Sequence, residues 1–280
     1  MAKTTVRKPN IRKKAIKKKK SFFSTKSAIL FLFSISISIG LYHYRNAILH
    51  YFSFKSDKVI KEDKVAQARI YQILKAHDHL TFGLDVSQYQ GKINWEVIDS
   101  VENNFKLHYV LIRATAGNNK VDSQFKTNWK AAKHQKLLRG AYHYYRPNEN
   151  SLEQAEKFIQ TVQLKKGDLP PVLDIEQLPK NQSMANLKKG LQRWLDKVET
   201  HYKVKPIIYT GEKYYENFLK DEFEGYTFWI ANYNFFVEEI KEDWLFWQFT
   251  EKANIEGIEE KVDLNIYNGT PKMLEYLTIN

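Results

Sequence analysis

The chain has 280 residues, 43% of them hydrophobic and 14% aromatic, with 44 Lys or Arg against 32 Asp or Glu and no cysteine. That length admits one large domain or two small ones. The missing cysteine excludes disulfides, thiol catalysis, cysteine-ligated zinc, iron–sulfur clusters and lipid attachment through a thiol.

The net charge of +12 is local. Residues 1–26 hold 11 basic side chains and no acid; removing them leaves 33 basic residues against 32 acidic ones, a nearly neutral body that argues against a nucleic-acid-binding face. Alone, the basic run would also suit a nuclear-localisation or RNA-binding tail. Directly after it, however, comes SAILFLFSISISIGLYHY, Ser27 to Tyr44, which contains no Lys, Arg, Asp or Glu. As a helix rising ~1.5 Å per residue, it reaches roughly 27 Å, enough for a bilayer core. Its four serines can return their hydroxyl protons to carbonyls one turn back. An A-x-A cleavage pattern is missing, so an uncleaved signal anchor is expected ahead of a cleaved signal peptide or a buried soluble helix. The basic flank would stay in the cytoplasm and send the rest outward, to the cell-wall or periplasmic side.

Residues 45–80 are polar, with apolar positions at Val59, Ile60, Val65, Ile70, Ile73 and Leu74, as in a partly helical stalk. His77 and His79 flank Asp78 there and are expected to be solvated. No HExxH occurs.

From residue 81 to 280 the pattern changes to short β-rich runs: FGLDVS (82–87), YVLIRAT (109–115), RGAYHYY (139–145), PPVLDIE (170–176), KPIIYT (205–210), TFWIANY (227–233), LFWQFT (245–250) and VDLNIYN (262–268). Helical periodicity appears between them at 125–135, 152–163 and 184–202. Strands alternating with helices predict a parallel α/β sheet, and eight of them predict a barrel. The last three are too close for full crossover helices, so the expected fold is a modified (β/α) barrel with a β-rich C-terminal part, preceded by a transmembrane helix.

Asp85, Arg113, His143, Asp174, Glu176, Tyr209, Asn232 and Gln248 all fall toward the C-terminal ends of these strands, which converge on one mouth in such a barrel. Asp174 and Glu176 are two apart, so they share a strand face. Neighbouring carboxyl groups in a partly apolar pocket push one pKa up, giving the proton donor and the anion that glycoside hydrolysis needs. A helix-capping pair is the structural alternative. Asp85 in the first strand and Asp263 in the last would stand on adjacent staves of a closed barrel. Each also has a plain reading, as a helix cap or a turn residue. Four acids could instead hold magnesium or calcium, but the aromatic surroundings argue against it, and no metal or cofactor is expected. Tyr142, Tyr209, Trp229 and Tyr233 are the candidate sugar-facing aromatics, although most aromatics in any domain are core. His143 is expected to be structural, because it faces away from Tyr142 and Tyr144.

In order, DVSQYQGKINW (85–95), YVLIRATAG (109–117), RGAYHYYRP (139–147), LPPVLDIE (169–176), PIIYTG (206–211), FWIANY (228–233), FWQFT (246–250) and VDLNIYNG (262–269) resemble the Chalaropsis-type lysozymes, glycoside hydrolase family 25. The resemblance implies an N-acetylmuramidase that cuts the β-1,4 bond between N-acetylmuramic acid and N-acetylglucosamine in peptidoglycan. It implies Glu176 as general acid, Asp174 assisting at the acetamido group, and Asp85 and Asp263 completing the acidic site. Tyr142, Tyr209, Trp229, Tyr233 and Gln248 would bind substrate. Asn94 stands where an Asp is common, outside the acid set. Expected partners are peptidoglycan strands and the membrane, with no nucleic acid, and the chain is expected to be a monomer. The alternatives are a non-catalytic glycan-binding module, which would have lost Glu176 or Asp174, and a chitinase-like hydrolase, whose longer acid series is interrupted here by Val172.

Overall fold

The computed structural model describes residues 25–53, 64–102 and 104–280. Most of the basic tail and residues 54–63 of the expected stalk lie outside the described residues. The chain divides into one unit ending at Arg45 and another running from Asn46 to Asn280.

In the first unit, helix α1 spans Thr25–His43 and is long and apolar enough to cross a membrane. Its internal serines are satisfied within the helix: Ser34, Ser36 and Ser38 donate to the carbonyls of Phe31, Leu32 and Ser34 at 2.9–3.1 Å. That removes much of the cost of placing hydroxyls in hydrocarbon. A short helix, α2 (Arg45–Ser53), follows.

The second unit is a barrel. All eight expected strands form: β1 (Thr81–Val86), β3 (Phe105–Ala116), β5 (Leu138–Tyr144), β6 (Val172–Asp174), β7 (Ile207–Gly211), β8 (Thr227–Ala231), β9 (Phe246–Ala253) and β10 (Val262–Tyr267). Two-residue strands β2 (Ser100–Val101) and β4 (Lys120–Val121) edge β3. From β1 through β3, β5, β6, β7 and β8 to β9, neighbours are parallel. Strand β10 then enters antiparallel between β9 and β1 and closes the ring. Helices α4 (Phe125–His134), α5 (Ser151–Thr161) and α6 (Met184–Tyr202) lie where the periodicity placed them. Asn150 caps α5 by accepting from the amides of Leu152 and Glu153, and Ser183 caps α6 through the amide of Asn186.

Alternation along the strands divides the interior in two. One apolar cluster fills the space between sheet and helices; a second, inside the barrel, is rich in rings: Tyr109, Tyr142, Tyr209, Trp229, Phe246 and Tyr267. Gly83 on β1 makes room for this floor, since a Cβ there would lie 2.5 Å from three atoms of the Tyr109 ring.

Helix α3 (Lys64–Ala76), on the segment expected as a stalk, packs against β9 and buries Ile70, Ile73 and Leu74 in the outer core. The parallel β8–β9 connection, residues 232–245, has no crossover helix of its own, and α3 covers β9 in its place. His77 is buried rather than solvated: its Nδ1 lies 3.0 Å from the carbonyl of Ile73 and its ring meets Trp247 edge-on at 6.1 Å. Loss of the apolar α3 face would bare aromatic core, so a chain begun at residue 78 is expected to melt well below one begun before Lys64. Gly83→Ala, which overpacks the floor, is expected to cost about 1–3 kcal/mol, read as a drop of roughly 2–4 °C per kcal/mol in thermal denaturation. Unchanged melting in both cases would contradict this packing.

Candidate active site

Asp85 ends β1 and Asp263 opens β10; because β10 runs antiparallel, the two are direct register partners at the same mouth. Asp85 is 5% exposed. Its Oδ2 accepts two hydrogen bonds of 2.8 Å, from Gln248 Nε2 and Asn265 Nδ2. Both donors are themselves fixed. Gln248 Oε1 accepts from Tyr209 Oη at 2.6 Å and from Tyr233 Oη, and Asn265 Oδ1 accepts from Trp229 Nε1 at 2.8 Å. Five side chains thus orient one carboxylate. Burial pushes Asp85 up to about 6, against the pull of its two amide donors. Burial, and then repulsion from Asp85, pushes Asp263 further, to about 9. A hydrogen bond joins the two acids, with the proton on Asp263.

Asp174 and Glu176 make a second pair. Asp174 ends β6 and is 4% exposed, while Glu176 stands two residues later, past the strand end and exposed at the lip. The intervening backbone is pinned: the amide of Ile175 donates to the carbonyl of Tyr209 (3.0 Å), and Thr210 Oγ1 donates to that of Ile175 (2.6 Å). Burial, then the charge of Glu176, holds Asp174 well above the usual carboxylate range. Burial also raises Glu176, opposed by a hydrogen bond from Asp174 and assisted by the charge of Glu251. The hydrogen bond between them raises Asp174 and lowers Glu176, so it favours the proton on Asp174, the more buried partner. Asp174 Oδ1 is buried and has no hydrogen-bond partner among the described residues. An orphaned acceptor at the bottom of an acidic mouth is a place for a donor from outside the chain.

The predicted aromatics divide by depth. Tyr142 and Tyr209 lie at the junction of floor and mouth, 9% and 7% exposed, and burial beside the acids keeps both phenols neutral. Tyr233, 41% exposed, forms the outer wall. Trp229 was expected to meet substrate, but it is 2% exposed and packs 4.3 Å from Tyr209 between ring centroids; its role is to hold Asn265. His143 faces outward and is fully buried, bonded to Thr115 (2.7 Å) and Gln154 (3.1 Å) and stacked on Trp194. Arg113 is tied to Asp122 at 2.9 Å and lies over the Tyr89 ring, with Tyr142 and Asp174 within its field.

Two residues escaped the sequence reading. Asn265 is one, although its parity with Asp263 marks it as inward-facing. Glu251 bears on both Glu176 and Asp263. Counting alternate residues from Gln248 turns Glu251 outward, but the β9–β10 register shifts on both sides of Leu264, between Val262 and Leu264 and between Leu264 and Asn265, and irregularities of that kind re-aim side chains.

The family-wide sequence pattern of glycosyl hydrolases family 25 matches residues 84–258. The chain belongs to glycosyl hydrolases family 25. Among its relatives, the protein YegX of Escherichia coli is 38% identical over 197 residues, covering 69% of this chain and 71% of that one. Lysozyme M1 of Streptomyces globisporus is 31% identical over 214 residues, 71% of each chain. A family 25 glycosyl hydrolase from Bacillus anthracis superposes with a TM-score of 0.64 at 29% identity, over 72% of this chain and 94% of its own. The family pattern spans β1 to β9 and starts after α3.

A carboxyl group whose folded pKa exceeds its unfolded value binds more protons folded than unfolded. Stability therefore falls as pH rises from the ordinary carboxylate range through the folded values of Asp85, about 6, and Asp263, about 9. Asp263→Asn keeps a donor toward Asp85 and removes the titrating proton. It is expected to flatten the decline in melting temperature between about pH 5 and pH 9; a profile parallel to wild type would contradict the shared proton.

Proposed function

We propose that this chain is a peptidoglycan muramidase, cutting the β-1,4 bond between N-acetylmuramic acid and N-acetylglucosamine with Glu176 as general acid. The observation that carries this is the Asp174–Glu176 pair, two carboxyl groups on one face of the mouth whose proton affinity burial raises, beside an unpartnered acceptor on Asp174. Lysozyme M1 supports the substrate class by its name. All four motif acids are retained, which speaks against a pure binding module.

Glu176 lies at the lip, where an entering sugar covers it. Removal from water raises its proton affinity, so the proton moves from Asp174 to Glu176 and from there to the glycosidic oxygen as the bond to C1 breaks. Asp174, left anionic, faces the acetamido group and stabilises the positive charge that develops. Water then adds its hydroxyl to C1 and returns its proton to the pair, restoring the starting state. Asp85, fixed by Gln248 and Asn265, and Asp263 set the field beneath the reacting ring. Tyr142, Tyr209 and Tyr233 form the wall along which the glycan lies; Gln248, expected to bind substrate, is buried behind it and holds Tyr209 and Tyr233 instead.

In this reading α1 anchors the enzyme, its basic flank stays in the cytoplasm, and the barrel meets the wall polymer outside. Purified peptidoglycan incubated with the full chain in detergent micelles should yield new muramic-acid reducing ends by mass spectrometry. Glu176→Gln should lower that rate by roughly 10²–10⁴-fold. Intact glycan with wild type, or full activity in the variant, would refute the assignment. Protease added to intact cells should remove the barrel and spare the anchor; protection of the barrel would reverse the topology.

A further inference from the structure

Helix α3 does more than cover β9. Arg69, buried on its inner face, donates from Nη1 to the carbonyl of Phe249 (2.7 Å) and from Nη2 to those of Asn234 (2.9 Å) and Val237 (3.1 Å). Phe249 follows Gln248, and Asn234 follows Tyr233. The two side chains that meet over Asp85, Tyr233 Oη on Gln248 Oε1, are thus each held through the adjacent carbonyl by one guanidinium. Two residues earlier on α3, Gln67 Nε2 donates to the carbonyl of Lys252 (2.7 Å), next to Glu251. The loop so held, residues 232–245, has no helix of its own and carries the exposed ring of Tyr233.

We propose that Arg69 is a positioning residue for the glycan-binding wall, acting through the backbone of Tyr233–Asn234 and Gln248–Phe249, and that α3 thereby belongs to the working enzyme although it lies outside the matched family region. Three features of the guanidinium suit the task. It is planar, stays charged at neutral pH, and spreads its donors so that carbonyls from two separate segments are fixed at once. An ammonium in the same place supplies a point charge with shorter reach, so it holds part of this set and not all of it. A loop released on one side shifts Tyr233 away from Gln248 and leaves Asp85 with a less ordered donor.

The proposal rests on the muramidase reading, and the experiment separates the two. Steady-state kcat and KM on a soluble glycan oligomer would be measured with the full chain in micelles for wild type, Arg69→Lys, Arg69→Gln, Tyr233→Phe and Arg69→Lys/Tyr233→Phe. All would be assayed well below each variant's melting temperature. Arg69→Gln should lower kcat/KM by roughly 10- to 100-fold, the scale of a misplacement of about 1 Å, with KM raised, and Arg69→Lys should recover part of the loss. Combined with Tyr233→Phe, Arg69→Lys should cost less than the product of the single effects, because both act on one contact. If Arg69→Gln does not fold, the Lys variant and its cycle decide. Variants that melt earlier but keep wild-type kcat and KM, or a cycle whose effects multiply, would overturn the positioning role and leave Arg69 a structural clamp. An inactive wild type would end the muramidase reading, and this one with it.

Discussion

Burial of carboxyl groups in the mouth of an aromatic-floored barrel is the constraint on which the rest of the site depends. A carboxylate taken out of water is costly unless it is neutralised or given donors. Here both remedies are used, one on each side of the mouth. Asp85 keeps its charge because Gln248 and Asn265 donate to it. Asp263, pushed up to about 9, gives up its charge by holding a proton, and burial pushes Asp174 in the same direction. Mixed protonation at neutral pH is therefore a consequence of packing, and acid–base chemistry draws on it directly.

The closing of the barrel makes that arrangement possible. Strand β10 enters against the direction of the other seven, so Asp263, near its beginning, reaches the same mouth as Asp85, near the end of β1. A parallel last strand would have put that acid at the opposite end. The same departure from regular alternation leaves the β8–β9 connection without a helix, and a helix from ahead of the barrel fills the gap. Sequence ahead of the barrel and the wall of its mouth are in this way joined by a buried guanidinium.

Much of this was readable in the residues. Short β-rich runs located all eight staves, and polar residues at strand ends pointed to Asp85, Asp174 and Glu176 as candidates, with Asp263 read from the last strand. Asp174 and Glu176 sharing a face followed from their spacing alone. Depth was less legible: parity says that Trp229 points inward, not that it sits below the mouth, where its indole supports Asn265 instead of meeting a sugar. Glu251 was hidden by a register shift, which parity counting cannot anticipate. The docking of α3 was hidden by composition, because Gln67 and Arg69 on a short, partly helical segment suit a stalk, whereas both are buried on backbone carbonyls from far along the chain. Hydrogen bonds of that range leave no local periodicity.

The protonation pattern is the center of this account, and isotope-edited infrared spectroscopy observes it directly. In full-length protein labelled with ¹³C-aspartate and held at neutral pH, protonated carboxyl bands should be present, one lost in Asp174→Asn and another in Asp263→Asn. A spectrum in which every aspartate is ionised at neutral pH would contradict it: the mouth would hold no stored proton, and the acid–base roles assigned to its carboxyl groups would fail together.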